Sequence, residues 1–267
     1  MRVDGSDQQT TIDTLISVWE SIDHLVDQLD DTDWARPTDC PGWTVKDQLA
    51  HVTAIETQLA GRPQPEHVAP DAPWVRNDFG KITEVGVDYR RPWAPPETIA
   101  EFRDVIAERV EQLRALTPEE WAADSWTPVG PGTYGLFMAV RILDCWSHEQ
   151  DMRRATGRPG NLGGPAPELA TDRLLVAVPM VVGKRVAPPD GTSVVLRLVG
   201  PVERVVAIGV EGGRARRLDD EPPEPAATIT MGSESYAVLA NGRQEPSARG
   251  DVKVEGDAAL GESILAN

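Results

Sequence analysis

Cysteine is scarce in this sequence: Cys40 and Cys145 are the only two among 267 residues. Two thiols do not make a disulfide framework, which points to a reducing compartment and to a core that needs no staples. Long apolar runs are also missing. The longest near the middle, Leu174 to Val182, spans nine residues and contains Pro179; a bilayer span takes about 20. The first ten residues, MRVDGSDQQT, are polar and acidic and lack the apolar stretch of a secretory signal. A cytoplasmic location is therefore expected. Basic residues are outnumbered, 26 against 43 acids, for a formal charge of −17. Nucleic-acid phosphates and anionic lipid heads repel such a chain, so neither nucleic acid nor membrane is expected as a partner. The ordinary consequence of the charge is solubility.

What is present is unevenly spread. All eight tryptophans and all four histidines precede residue 150, and residues 1–157 hold 28 acids against 14 bases. The remainder, 158–267, holds 15 against 12. Between these regions lies Gly157-Arg158-Pro159-Gly160-Asn161-Leu162-Gly163-Gly164-Pro165. Such a cluster breaks helices and lets the backbone turn. The expected division is a helical domain over 1–157, a linker over 158–167 and a second domain over 168–267.

The first region has helical periodicity. Ile12, Leu15, Ile16, Trp19, Ile22, Leu25, Val26 and Leu29 recur at the spacing of one buried helical stripe, which predicts a helix over 9–29. After the turn Pro41-Gly42-Trp43, Thr44 and Asp47 form a capping pair for a helix to about Leu59. Pro95-Pro96 opens a third helix, reaching about Leu116, and a fourth covers roughly 133–156. Four amphipathic helices suggest a four-helix bundle. The stretch 62–95 is rich in proline at both ends, and Asp71 to Val87 has room for a further helix.

Beyond the glycine cluster the period changes. Val194 to Val199 and Arg204 to Val210 are β-branched runs bounded by Gly and Pro, and Gly212-Gly213 leads into a short strand over Arg214–Leu218. Ala227 to Met231 and Val252 to Val254 are further strands. Short helices are expected near 168–178, 233–240 and 257–266, with Ser233 and Asp257 as N-caps. The second domain is α+β.

The chemistry concentrates in Arg141 to Asp151. On a helix Asp144 and His148 are one turn apart on one face, and Asp151 shares that face. An imidazole and a carboxylate so placed can reach one divalent ion. His51, at the edge of the apolar stripe of the second helix, can supply a third ligand if the two helices are neighbours. Two nitrogens, one carboxylate and open positions suit catalytic zinc, and also nickel, manganese or iron. Spacing alone leaves plainer readings open: Asp144 pairing with Arg141, Asp151 with Arg154 or Arg158, and Cys145 as a small buried apolar residue. Nothing in the pattern supports His24 or His67, which read as surface residues.

The stretch Thr38-Asp39-Cys40-Pro41-Gly42-Trp43-Thr44-Val45-Lys46-Asp47-Gln48-Leu49-Ala50-His51 resembles the first motif of the DinB-like, mycothiol-dependent maleylpyruvate isomerase family of actinobacteria. Arg141 to Asp151 is similar to that family's second motif. Ala227 to Met231, Leu239 to Arg243 and Val254 to Asp257 resemble its sterol-carrier-like domain. The resemblance implies a multi-domain chain, with an N-terminal all-α DinB-like four-helix bundle holding a divalent metal, usually zinc, and a C-terminal α+β sterol-carrier-like domain. His51 and His148 match the family's histidine ligands. Asp144 falls where the isomerase has Glu, one methylene longer. The implied cofactor is mycothiol, and the implied activity is isomerisation or S-transfer on a small electrophilic substrate, by a monomer or homodimer.

On that reading His51, Asp144 and His148 hold the metal, and the metal favours the thiolate of the cofactor. Asp151 orients His148 or an incoming group. A carboxylate-bearing substrate calls for a cationic clamp, for which Arg243, Arg141, Arg90 and Arg91 are candidates, with Arg141 placed toward the cofactor. Two other function classes stay open: a metal-dependent hydrolase that activates water without a thiol, and a non-catalytic protein binding a metal or an apolar ligand.

Overall fold

The computed structural model describes residues 4–267, and the chain divides into two compact units that meet between Asn161 and Leu162. In the first unit the helices are α1 (Gln8–Val26), α2 (Val45–Leu59), α3 (Asp78–Arg90), α4 (Pro95–Ala115) and the single turn α5 (Pro118–Trp121). A two-stranded antiparallel hairpin, β1 (Asp124–Thr127) and β2 (Gly130–Thr133), leads into α6 (Tyr134–Thr156). The four long helices α1, α2, α4 and α6 pack on one another as the bundle, and α3 packs on α2.

Local chemistry sets the ends of these helices. Asp7 accepts from the Thr10 amide at the start of α1. Thr44 and Asp47 make a reciprocal capping box at the start of α2. The Glu97 carboxylate accepts from the Ala94 amide at the start of α4. Gly157 closes α6 at φ 65°, the left-handed conformation that glycine adopts without strain. Leu15, Trp19 and Ile22 of α1, Leu49 of α2, Phe102 and Leu113 of α4, and Met138, Ile142 and Met152 of α6 fill the interior.

The second unit begins with α7 (Pro165–Leu175) and α8 (Val178–Met180), which runs on into a π-helical turn, Val181–Val186. Strands β3 (Ser193–Val199), β4 (Arg204–Glu211), β5 (Arg214–Arg217) and β6 (Ala227–Gly232) follow, then α9 (Ser233–Ala240), β7 (Lys253–Gly256) and α10 (Ala258–Leu265). The sheet order is β5-β4-β3-β6-β7. The β3–β6 pair is parallel and the other pairs are antiparallel. Every second residue faces the core: Val194, Leu196 and Leu198; Val206, Ile208 and Val210; Ala227, Ile229 and Met231. Leu175, Val178, Val182 and Tyr236 cover that face.

Both expected architectures are present, the helical bundle and the α+β domain, with three differences. The hairpin β1–β2 breaks the all-α character of the first unit. Its Thr127 hydroxyl donates to the Gly130 carbonyl and so closes a turn made of Pro128 and Val129. Helix α3 occupies 78–90, starting inside the stretch 71–87 considered for it and running past its end. Helix α7 starts at Pro165, three residues before its expected start and inside the segment read as linker.

Candidate metal centre

Helices α2 and α6 are direct neighbours in the bundle. That adjacency brings His51, Asp144 and His148 together, with one ligand atom from each within 4.8 Å of the others. His51 Nε2 lies 3.2 Å from Asp144 Oδ2, and His148 Nε2 lies 3.6 Å from Asp144 Oδ1. The two imidazole rings are 4.4 Å apart between centroids. Both histidines are buried, whereas the Asp144 side chain is 32% exposed, so the group opens to solvent on the carboxylate side.

The donor set fits a divalent cation in kind. Burial and the neighbouring His148 push the His51 imidazole down to about 4, against the pull of Asp144, so its ring is neutral near pH 7 and offers a lone pair. Its Nε2 is the ring nitrogen that faces Asp144, while Nδ1 is buried without a hydrogen-bond partner. Burial opposes charge on Asp144, but Arg141 and His51 outweigh it and hold the carboxyl well below the usual carboxylate range. Asp144 is therefore an anion.

The surroundings orient this set. Gln48 Oε1 is 2.5 Å from His148 Nδ1, and the Gln48 amide nitrogen donates to the Thr38 hydroxyl at 2.6 Å. An amide oxygen can only accept, so Nδ1 carries the proton it donates to Gln48, and Nε2 is the ring nitrogen that faces Asp144. The Trp43 ring lies 5.0 Å from His51 and 5.6 Å from His148 and walls one side of the pair. Its indole N–H donates to Glu84 Oε2 on α3 at 2.9 Å, and the Trp74 indole donates to the same oxygen at 3.2 Å. Gly42 permits this: its φ is 77°, and a Cβ there would sit 2.2 Å from the Trp74 ring.

Behind Asp144 runs a buried chain of charges. Arg141 Nη1 donates to Asp144 Oδ2, while its Nε and Nη2 donate to Glu56 Oε1 at 2.9 and 2.8 Å. Glu56 Oε2 accepts from Arg109 Nε at 3.1 Å, and Arg109 Nη2 donates to the Tyr134 hydroxyl at 3.0 Å. Arg141 Nη2 also reaches Cys145 Sγ at 3.2 Å. Burial pushes the Cys145 thiol well up, so it stays protonated and fills space.

Asp151 pairs with Arg154, the plainer of the two readings, and its Oδ2 lies 3.7 Å from His148 Nδ1, beyond hydrogen-bond reach. Arg158, the other partner considered for it, pairs with Asp33 at 2.8 Å. Arg141 is buried with its donors turned to Glu56, Asp144 and Cys145, which suits it to hold Asp144 rather than to grip a cofactor arriving from solvent. Arg90 forks onto Glu101, and Arg91 pairs with Glu84, Asp47 and Asp88. Arg243 lies in the second unit, in the turn after α9, where its Nη1 donates to the Asn241 carbonyl. His24 is exposed, but His67 is half-buried and pairs with Asp88 at 2.7 Å.

Sequence reasoning missed Gln48, Trp43, Glu56 and Glu84. Gln48 had a signal: it stands one helical turn before His51, on the same face. Glu56 had a weaker one, as an acid on a helix whose neighbours at that level are buried.

Comparison with known proteins agrees with the motifs. Residues 15–153 match the family described as the mycothiol maleylpyruvate isomerase N-terminal domain. Two Mycobacterium tuberculosis proteins, uncharacterized protein MT0041 of strain CDC 1551 / Oshkosh and uncharacterized protein Rv0036c of strain ATCC 25618 / H37Rv, are each 26% identical over 251 residues. That is 90% of this chain and 87% of each relative. Crystal structures of mycothiol-dependent maleylpyruvate isomerase share the fold. A histidine-to-alanine mutant superposes with a TM-score of 0.60 at 16% identity, and a second structure of the isomerase with 0.59 at 17%. Each covers 93% of this chain and 92% of the solved one. No helix among the described residues is long and apolar enough to cross a membrane. A family match over more than half of the chain, in a fold common to the solved isomerase, places this protein in the mycothiol maleylpyruvate isomerase family.

Proposed function

We propose that the protein is a metal-dependent enzyme of the mycothiol-dependent isomerase or S-transferase type, acting on a small electrophilic substrate. The observation that carries this reading is the convergence of His51, His148 and Asp144, open on one side, in a chain of this family. Two imidazole nitrogens and one carboxylate oxygen are the donor set of an open zinc site, with nickel, manganese and iron as alternatives. A cation held there favours the anionic form of a thiol.

The chain's own residues do the rest. Gln48 fixes the ring of His148 so that Nε2 points at the site. Burial keeps His51 neutral and ready to donate its lone pair. The Trp43 ring closes one side against water, so an incoming group enters past the exposed edge of Asp144. Asp151, paired with Arg154, stands behind His148 and stabilises its ring orientation.

Metal analysis of the purified protein, followed by thermal-shift titration with mycothiol, tests the proposal. About one divalent ion per chain is expected, lost in His148→Ala. Mycothiol at about 100 times its Kd should stabilise the protein by about 2.7 kcal/mol. A chain free of metal that shows no shift at high thiol concentration rules the reading out. Turnover that needs the metal and ignores the thiol identifies a hydrolase on the same site.

A further inference from the structure

The one carboxylate of the centre is already matched by a cation of the protein. Asp144 Oδ2 accepts from Arg141 Nη1, and Arg141 cannot turn away because its Nε and Nη2 are bound to Glu56. Arg109 holds the other oxygen of Glu56. These four charges, two positive and two negative, sum to zero, and Arg109, Glu56 and Arg141 are each at most 3% exposed. Asp151, the nearest other carboxylate to His148 Nδ1, is likewise paired with an arginine, Arg154. The remaining donors, His51 and His148, bring no negative charge when they act as ligands.

We infer that Arg141, locked by Glu56, cancels the charge of Asp144, so that the centre holds a divalent cation loosely and leaves the cation's charge to attract an anionic ligand, a thiolate in the proposed reaction. This rests on the reading of the site as a metal centre. An uncompensated carboxylate beside two imidazoles would neutralise half of a divalent charge. With Arg141 hydrogen-bonded to that carboxylate, the field at the cation position is that of two neutral rings and an ion pair. A thiol that enters as its thiolate releases its proton to solvent and supplies the missing negative charge. Arg141 is thus a positioning residue that acts through Asp144, and it sets how strongly the centre selects anions.

The substitution Arg141→Met tests this, because it leaves Glu56 paired with Arg109 and keeps an unbranched side chain of comparable length. Co2+ is titrated into metal-free wild type and variant against a competing chelator, and mycothiol is then titrated into each Co2+-loaded protein at fixed pH. The variant is expected to bind Co2+ at least tenfold more tightly and mycothiol at least tenfold more weakly. Arg141→Lys keeps the charge and loses the fork, so it should stay within about threefold of wild type in both titrations. Co2+ affinity unchanged or weakened in a folded Arg141→Met protein overturns the inference. Wild type that binds no Co2+ at all overturns the metal reading itself, so the two failures are told apart. Should Arg141→Met not fold, the Lys variant decides alone: a tenfold gain in its Co2+ affinity would show that geometry, not charge, governs the site.

Discussion

The two units of the chain are stabilised by different means. In the second unit the buried side chains are aliphatic or aromatic, and the only buried polar residues are Thr171, Ser233 and Ser235. In the first unit Glu56, Arg109, Arg141, Glu149, Asp151 and Arg153 are all buried alongside the two site histidines. A buried charge is costly unless it is paired and hydrogen-bonded, and replacing a buried pair by apolar residues is often neutral or stabilising. A bundle built for stability alone has little use for such a network. Part of it, Arg141 with Glu56 and Arg109, lies directly behind Asp144, where the proposed function gives it a use, whereas Glu149 and Arg153 pair with each other.

The largest expected effect tests that contrast at its root. Glu56→Gln leaves two guanidiniums in the bundle without their shared anion and should destabilise the first unit by about 3–5 kcal/mol. Ile229→Ala, at the centre of the second unit's apolar face, should cost about 3 kcal/mol through lost burial and a cavity. The two effects can be read separately. All eight tryptophans precede residue 150, so indole fluorescence follows the first unit, and peptide-resolved hydrogen exchange over β3 and β6 follows the second. If Glu56→Gln left the fluorescence transition in place, the buried network would be dispensable and the contrast between the units would fail.

The contrast was only half legible in the sequence, and the residues show why. A 3.6-residue period in Ile12, Leu15, Trp19 and Ile22, and a two-residue period in Val194, Leu196 and Leu198, are properties of one segment at a time, so helices and strands could be read directly. The hairpin β1–β2 could not, because Pro128 and Pro131 mask its extended backbone and its turn is closed by a side chain, Thr127. The three candidate ligands were found because Asp144 and His148 lie one turn apart and the motif around His51 is distinctive. Glu56, Gln48 and Glu84 act on residues 85, 100 and 41 positions away in the chain, so a local pattern could at most mark Gln48 and Glu56 as facing inward and could not name their partners.

An intermediate effect sharpens the comparison at helix starts. Thr44→Ala removes a capping box from α2, which carries His51, and Asp257→Ala removes the cap that accepts from the Leu260 amide at α10. Each should cost about 1 kcal/mol in its own unit. Only Thr44→Ala should also weaken binding of an added divalent ion, by several-fold in an isothermal titration, because of these two helices α2 alone carries a candidate ligand, His51. Equal ion affinity in the two variants would separate helix anchoring from the metal centre.

The smallest effect concerns acid, and here the two units should respond with opposite sign. Burial raises the Glu149 carboxyl above 4.5, although Ser21, Arg153 and Asn161 pull it back. A carboxyl raised by folding keeps its proton longer in the native state, so the stability it leaves to the first unit declines as pH rises from 4.5 through the folded value. Asp251 behaves the other way: burial resists its charge, but the Ser235 hydroxyl and the Gly232 amide donate to it and hold it below 3.8. Its contribution to the second unit is complete above 3.8 and is lost as pH falls through the folded value. Unfolding free energies measured unit by unit from pH 3 to pH 6 should therefore diverge on substitution. The stability of Glu149→Gln relative to wild type should climb with pH, whereas that of Asp251→Asn should drop. Slopes of the same sign would mean that the acid response belongs to the net charge of −17 shared by the whole chain, rather than to a buried carboxylate in one unit and a hydrogen-bonded one in the other.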